Sequence, residues 1–187
     1  MTRCLRLLIL DSADFGTFLC GLCDFAVKAF MMRFLGTAPI EPRAYLAGKL
    51  AALACWASLV ARFFWPAVVW FSSPGLVILG AVLVAVGLLL MIVGGVNLGS
   101  SARVGLPKEQ TALKTGGLYK YSRNPMYLGG FLTCLAAIAW TMNPIIIALV
   151  ITTALFHHKI VLAEERFLAA RFGSAWQEYS RRVRRYL

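Results

Sequence analysis

Two long stretches of this chain carry no charge. Residues 63–102 contain no Asp, Glu, Lys or Arg, and neither do residues 125–158. Each is longer than the roughly 20 apolar residues a helix needs to cross the hydrocarbon core of a bilayer. Composition agrees: of 187 residues, 60% are hydrophobic and 14% charged, against about 25% charged in soluble domains. The charge is lopsided, with 19 Lys and Arg against 8 Asp and Glu, net +11. In so apolar a chain, that excess points to the anionic surface of a membrane and not to nucleic acid. The expected fold is an all-α integral membrane protein with one membrane domain over 1–187. Membrane helices fill 12–98, and a second part, 99–187, carries the site.

Arg3 and Arg6 resemble the start of a secretory signal, but Asp11 and Asp14 interrupt the apolar run before it develops, so none is expected. Over 12–35, Asp14, Thr17, Gly21, Asp24 and Lys28 form a polar stripe at helical spacing, so this helix either spans or lies in the interface. Gly36, Pro39 and Pro42 mark a loop. The stretch 44–71 is apolar around Lys49 and Arg62, with a kink expected at Pro66. Ser73-Pro74 is a cap followed by a first-turn proline, starting a span over 75–98 whose Gly95 and Gly99 form a GxxxG. Asn124-Pro125 and Asn143-Pro144 repeat one device, Asn as N-cap and Pro as first helical residue. They predict an apolar hairpin, its first arm ending near Met142 and its second reaching Lys159–Glu165. Gly173 ends that helix, and Ser174-Ala175-Trp176-Gln177 has the form of a capping box. Trp176, Tyr179, Val183 and Tyr186 then form one stripe among Arg181, Arg182, Arg184 and Arg185, a basic amphipathic helix expected on the membrane surface.

The 99–124 loop and the 159–187 tail are the two most basic regions, so both are expected in the cytoplasm. Counting back puts 72–74 outside and 33–49 inside, with five membrane helices, or four if 12–35 lies flat. The five cysteines, Cys4, Cys20, Cys23, Cys55 and Cys134, read as apolar packing residues; the Cys20-Cys23 pair has no second pair to complete a metal site.

The hairpin returns Asn124 and Glu164 to one membrane depth. There a helix N-terminus, the loop Tyr119-Lys120-Tyr121-Ser122-Arg123 and the carboxylates of Glu164 and Glu165 come together. A helix N-terminus attracts an anion and a carboxylate an ammonium, so the pair suits a zwitterion with aromatic rings beside it. Interfacial anchoring by Tyr and basic residues, with solvated glutamates, is the competing reading.

The segments TGGLYKYSRNPMYLGG (115–130) and EERFLAARFGSAWQEYSRRV (164–183) resemble the isoprenylcysteine carboxyl methyltransferase and phospholipid methyltransferase superfamily. The likeness covers roughly 104–187. It implies an intramembrane enzyme that transfers methyl from S-adenosylmethionine to a lipophilic small molecule or lipidated substrate. By match to the family's motifs, it implies cofactor binding by Thr111, Ala112, Leu113, Lys114, Tyr119, Asn124, Pro125, Met126, Tyr127 and Glu164. The cofactor site would face the cytoplasm, in the inner membrane of a bacterium or the endoplasmic reticulum of a eukaryote.

The chain departs from the family at two points. Asn124 stands where the family has His and cannot act as an acid or base near neutral pH. Catalysis is then expected to rest on substrate alignment, with a carboxylate or thiol acceptor favoured over the amine of a phospholipid-type N-methyltransferase. The family's substrate-engaging Arg has no counterpart at Ile160, and Lys159 is the candidate substitute. His157 and His158 are the only histidines, too few for a metal centre, so no metal is expected and they read as interfacial or pocket-lining. A sterol-reductase-like NADPH enzyme and a non-catalytic membrane subunit are the rival readings.

Overall fold

The computed structural model describes residues 40–99 and 112–187. The described residues contain four α-helices and no strand: α1 (Pro42–Phe64), α2 (Pro74–Leu98), α3 (Pro125–Thr141) and α4 (Pro144–Arg182). Three of them, α1, α2 and α4, are long and apolar enough to cross a membrane, whereas α3 is a shorter apolar helix. The expected segment 12–35 and most of the 99–111 stretch lie outside the described residues.

Proline opens all four helices at the first turn, where its missing N–H costs nothing. Two of the expected caps form: Ser73 Oγ accepts from the Leu76 N–H at 3.4 Å, and Asn143 Oδ1 from the Ile145 N–H at 2.9 Å. Pro66 does not kink a helix. α1 ends at Phe64, because the residue before a proline is pushed out of the helical region, and Pro66–Val68 is a separate 3-10 turn. This turn closes the far end of the bundle. The Trp70 N–H donates to the Thr141 carbonyl at 2.8 Å, and Asn143 Nδ2 donates to the Val68 carbonyl at 3.1 Å.

α3 is the central helix. Ala136, Ala137 and Thr141 on it are fully buried. Its close approach to α2 rests on glycines seven residues apart on α2. A Cβ on Gly80 would meet Trp140, one on Gly87 would stand 2.7 Å from the Gly129 carbonyl, and one on Gly94 would stand 2.8 Å from Met126 Cγ. This heptad seam makes the closest approach: a Cβ at Gly95 would stand 3.9 Å from Met126 Cε, and one at Gly99 would meet none of the described residues. The other side of α2 presents Ile78, Leu79, Val82, Leu89, Ile92 and Val96 outward, as a helix facing hydrocarbon does. Between α1, α3 and α4 the core is Cys55, Cys134, Ala137, Ile146 and Val150, with the two cysteines as free thiols.

α4 does not stop at Glu165. Its 39 residues would run about 58 Å if straight, nearly twice the thickness of a bilayer core. It breaks at Gly173, whose φ of 52° and ψ of −121° are open only to glycine. In the segment beyond, the aromatic stripe is covered by the chain itself. Trp176 and Tyr179 are buried, Tyr179 Oη donates to the Tyr119 carbonyl at 2.7 Å, and the Arg123 guanidinium lies 5.5 Å over the Trp176 ring. The aromatic stripe packs on the chain's own 117–124 segment. Val183 and Tyr186 lie beyond the helix, in a short extended strap.

Candidate active site

The 112–124 segment reaches α3 through a 3-10 turn, Gly117–Lys120. Gly117 has φ 59°, and a Cβ there would overlap the Asn97 side chain, so this turn sits directly against the end of α2. Tyr119 follows and is buried, and burial pushes its phenol up to about 12. Its carbonyl holds Tyr179, so Tyr119 links the loop to the helix beyond the Gly173 break.

Glu164 and Glu165 point in different directions. Glu164 Oε1 accepts from Tyr127 Oη at 2.9 Å. Tyr127 lies in the first turn of α3 and Glu164 about 30 Å along α4, so this bond closes the near end of the bundle as Trp70 and Asn143 close the far end. Glu165 is buried and binds three partners. Arg185 Nη2 lies 2.8 Å from its Oε2, and both Arg123 Nη2 and Asn124 Nδ2 lie 3.3 Å from its Oε1. The Glu165 contact holds the Arg185 guanidinium above its ordinary pKa.

That clamp overturns one expectation. Asn124 makes no side-chain cap to α3. Its Nδ2 donates to Glu165 and, at 3.1 Å, to the Arg185 carbonyl. With Nδ2 held by these two acceptors, the amide oxygen makes no cap to the first N–H groups of α3. The Arg123 N–H also donates to the Arg184 carbonyl at 2.9 Å. The C-terminal strap is thereby tied to the residues that introduce α3. Tyr186, next along it, shares a 2.9 Å hydrogen bond with His158 and packs edge-on against Phe131.

Inside this closed end lies a cavity of about 200 Å³. Its walls are Lys49 and Trp56 from α1, Met91 from α2, Met126, Tyr127 and Phe131 from α3, and Thr153, His157 and Glu164 from α4. It is mostly apolar, with the charged and titratable groups gathered toward the Tyr127–Glu164 end. Lys49 lies 5.3 Å over the Tyr45 ring. His157 is buried, its Nδ1 is 2.9 Å from the Thr153 carbonyl, and its ring meets Tyr127 at 6.0 Å. Trp56 lines the cavity while remaining 40% exposed on the outer face of α1, and its Nε1 donates to Thr133 Oγ1 at 3.0 Å.

Of the residues the sequence singled out, Met126, Tyr127 and Glu164 line the cavity. Pro125 is buried at the start of α3, and Tyr119 and Asn124 stand behind the wall. Ala112 and Lys114 are exposed and Leu113 half-buried, away from the cavity, while Thr111 lies outside the described residues. Lys159 is exposed, 5.8 Å over the Phe156 ring. The cation on the cavity wall is Lys49, which no motif marked. Thr153 and Trp56 were also missed; their polar atoms sit among apolar helix positions and carry no signal until the helices are packed.

Three helices long and apolar enough to cross a membrane, packed with a fourth around a small, partly charged cavity, mark a membrane protein. The chain belongs to the phospholipid methyltransferase family: that family's model matches residues 76–175, just over half of the chain. The family is part of a membrane methyltransferase superfamily with the isoprenylcysteine carboxyl methyltransferases. No curated protein matches the chain individually. The matched region takes in Tyr127, His157 and Glu164 but neither Lys49 nor the strap.

Proposed function

We propose that the protein is an S-adenosylmethionine-dependent methyltransferase whose lipophilic acceptor enters laterally from the bilayer. In this reading α3 and α4 form a hairpin through the membrane, and the cofactor lies at the end closed by Tyr127 and Glu164. The observation that carries it is the Tyr127–Glu164 contact on the cavity wall, where the two separated motifs meet. Tyr127 engages one oxygen of the carboxylate, and the second is the partner for the cofactor's ammonium. Asn124, Pro125 and Met126 then border the site, and the 111–114 and Tyr119 segment holds the remainder.

The donor set fits such a cofactor: a carboxylate, aromatic rings and the thioether-bearing Met91 and Met126 beside a cationic centre. Size fits only in part. About 200 Å³ falls below the ~300–1,000 Å³ of sites that enclose a drug-sized ligand. The cavity therefore takes the reacting ends, with the bulk of the cofactor against the loop and the acceptor's chain in the lipid beyond Trp56. When bound, the cofactor supplies a methyl group on a sulfonium already activated for displacement. The protein's share is to align the two partners and keep water out, which the apolar walls do.

Thermal unfolding of the detergent-purified protein tests the reading. A ligand at 100 times its Kd stabilises by about 2.7 kcal/mol, so S-adenosylmethionine should raise Tm by several degrees. A rise with NADPH instead, or with neither, would sink the assignment.

A further inference from the structure

The inward stripe of α1 ends in a charge. Its buried residues are Tyr45, Gly48, Ala51, Cys55 and Ser58, and the next position at helical spacing is Arg62. From Pro42 to Arg62 the helix rises about 30 Å, the thickness of a hydrocarbon core, so Arg62 stands at the boundary away from the cavity. There its guanidinium lies 4.6 Å over the Trp140 ring and 5.3 Å over that of Phe63. Ring faces attract the charge, but a guanidinium also carries five N–H donors that need acceptors. Nη1 is enclosed with no hydrogen-bond acceptor among the described residues.

No described acid is within reach. Glu41, Glu164, Glu165 and Glu178 are the acids among the described residues. Glu41 precedes α1, Glu164 and Glu165 lie about 30 Å along α4 from Asn143, and Glu178 lies beyond the Gly173 break. Aromatic side chains surround this end instead. Phe63, Phe64, Trp65, Trp70 and Phe71 are each more than half exposed, as in the belts found at headgroup level.

We infer that Arg62 and Trp140 form a binding site for the phosphate of a net-anionic membrane phospholipid, whose chains lie against the exposed aromatic rim. The site is outside the cavity and stands whether or not the chain transfers methyl groups. Depth selects a lipid over a soluble anion, because the charge is ringed by apolar surface that a lipid's chains cover and a free phosphate leaves bare. Charge selects the headgroup. A zwitterionic lipid brings an ammonium that offsets its phosphate and finds no carboxylate among the described residues at this end; phosphatidylglycerol brings none. Trp140 pre-positions the guanidinium for two parallel N–H···O bonds to one phosphate. Trp140 is itself fixed, its Nε1 donating to the Val77 carbonyl at 2.9 Å and its ring filling the space left by Gly80. A lipid seated there would tie α1 to the packed pair of α2 and α3.

Photolabelling of the purified protein in phosphatidylcholine nanodiscs tests this. Phosphatidylglycerol carrying a diazirine near its glycerol should label the 60–73 segment about tenfold or more above the matching phosphatidylcholine, the factor a charge-assisted hydrogen bond supplies. Unlabelled phosphatidylglycerol should displace it, and glycerol phosphate at equal concentration should not. The preference should vanish in Arg62→Gln and fall in Trp140→Leu, while Arg181→Gln at the opposite end keeps it. Equal labelling of the wild type by the two lipids overturns the site, and displacement by glycerol phosphate overturns its assignment to a lipid. Neither outcome depends on a variant that folds. A preference undiminished in Arg62→Gln would take Arg62 out of the site, and with it the inference.

Discussion

Adjacent glutamates with opposite surroundings make the sharpest comparison at the residue scale. Glu164 faces the cavity with one hydrogen bond from Tyr127, while Glu165 is buried among Arg123, Asn124 and Arg185. Glu164→Gln should weaken S-adenosylmethionine binding by roughly 10- to 150-fold, the loss of a charge-assisted bond worth about 1.5–3 kcal/mol. Glu165→Gln should act on stability, because removing one partner of a buried ion pair costs about 3–5 kcal/mol. Calorimetry and thermal unfolding of both variants check the contrast, and equal, unchanged affinities would remove Glu164 from the site. Asn124→Leu deletes two donors to buried acceptors and should lower stability by about 1–3 kcal/mol, with little effect on the helicity of α3, since Asn124 does not cap it. Motifs mark both Glu164 and Tyr127 in the sequence, but the hairpin reading set Asn124, and not Tyr127, level with Glu164, and the bond between the two appears only in the packed bundle. Lys49 sits alone in an apolar helix, and only the packing of α1 against α4 brings it to the cavity. Asn124 was misread for a related reason: a local cap was visible in the sequence, but the carboxylate that holds its amide nitrogen lies 41 positions away.

At the scale of the element, glycines decide how α2 and α3 meet and how α4 turns. Gly87→Ala puts a Cβ 2.7 Å from the Gly129 carbonyl, a backbone atom that moves only if the helices separate. We expect it to cost more than the 0.5–1 kcal/mol usually gained on replacing a helical glycine. Gly75→Ala, where a Cβ meets nothing, should be neutral or slightly stabilising and serves as the control. Gly173→Ala also meets nothing, yet its φ of 52° strains any side chain, at about 1–3 kcal/mol. Unfolding of the three variants should rank Gly75→Ala above both others. Helix ends were readable from Asn-Pro and Ser-Pro because those signals are local. The heptad of Gly80, Gly87 and Gly94 was equally present, but a shorter GxxxG drew the assignment to Gly95 and Gly99. The stripe of Trp176 and Tyr179 was recognised as an apolar face. Periodicity says that such a face is covered and not by what, and here the cover is Tyr119 and Arg123.

The two ends of the whole molecule differ in charge. Among the described residues, the end formed by 65–73 and 141–143 has Arg62 as its nearest charged residue, its guanidinium 4.6 Å over the Trp140 ring. The opposite end carries Arg43, Lys49, Lys114, Lys120, Arg123 and Lys159 beside the tail arginines. Positive charge is retained on the cytoplasmic side during insertion, so the end with the cavity should face the cytoplasm, where a soluble cofactor is supplied. In a background lacking the five native cysteines, single cysteines at the exposed positions Ser72, Lys120 and Arg181 report the orientation. An impermeant maleimide applied to intact cells should label Ser72→Cys and spare the other two until the membrane is permeabilised. Lys120 and Arg181 should behave alike, because Tyr179 holds the tail against Tyr119 and the strap is bonded to Arg123 and Asn124. Labelling of those two with protection of Ser72 would invert the protein in the membrane and leave the packed site intact. Labelling of only one of the pair would contradict the closed end itself, and with it the meeting of Tyr127 and Glu164 on which the proposed chemistry depends.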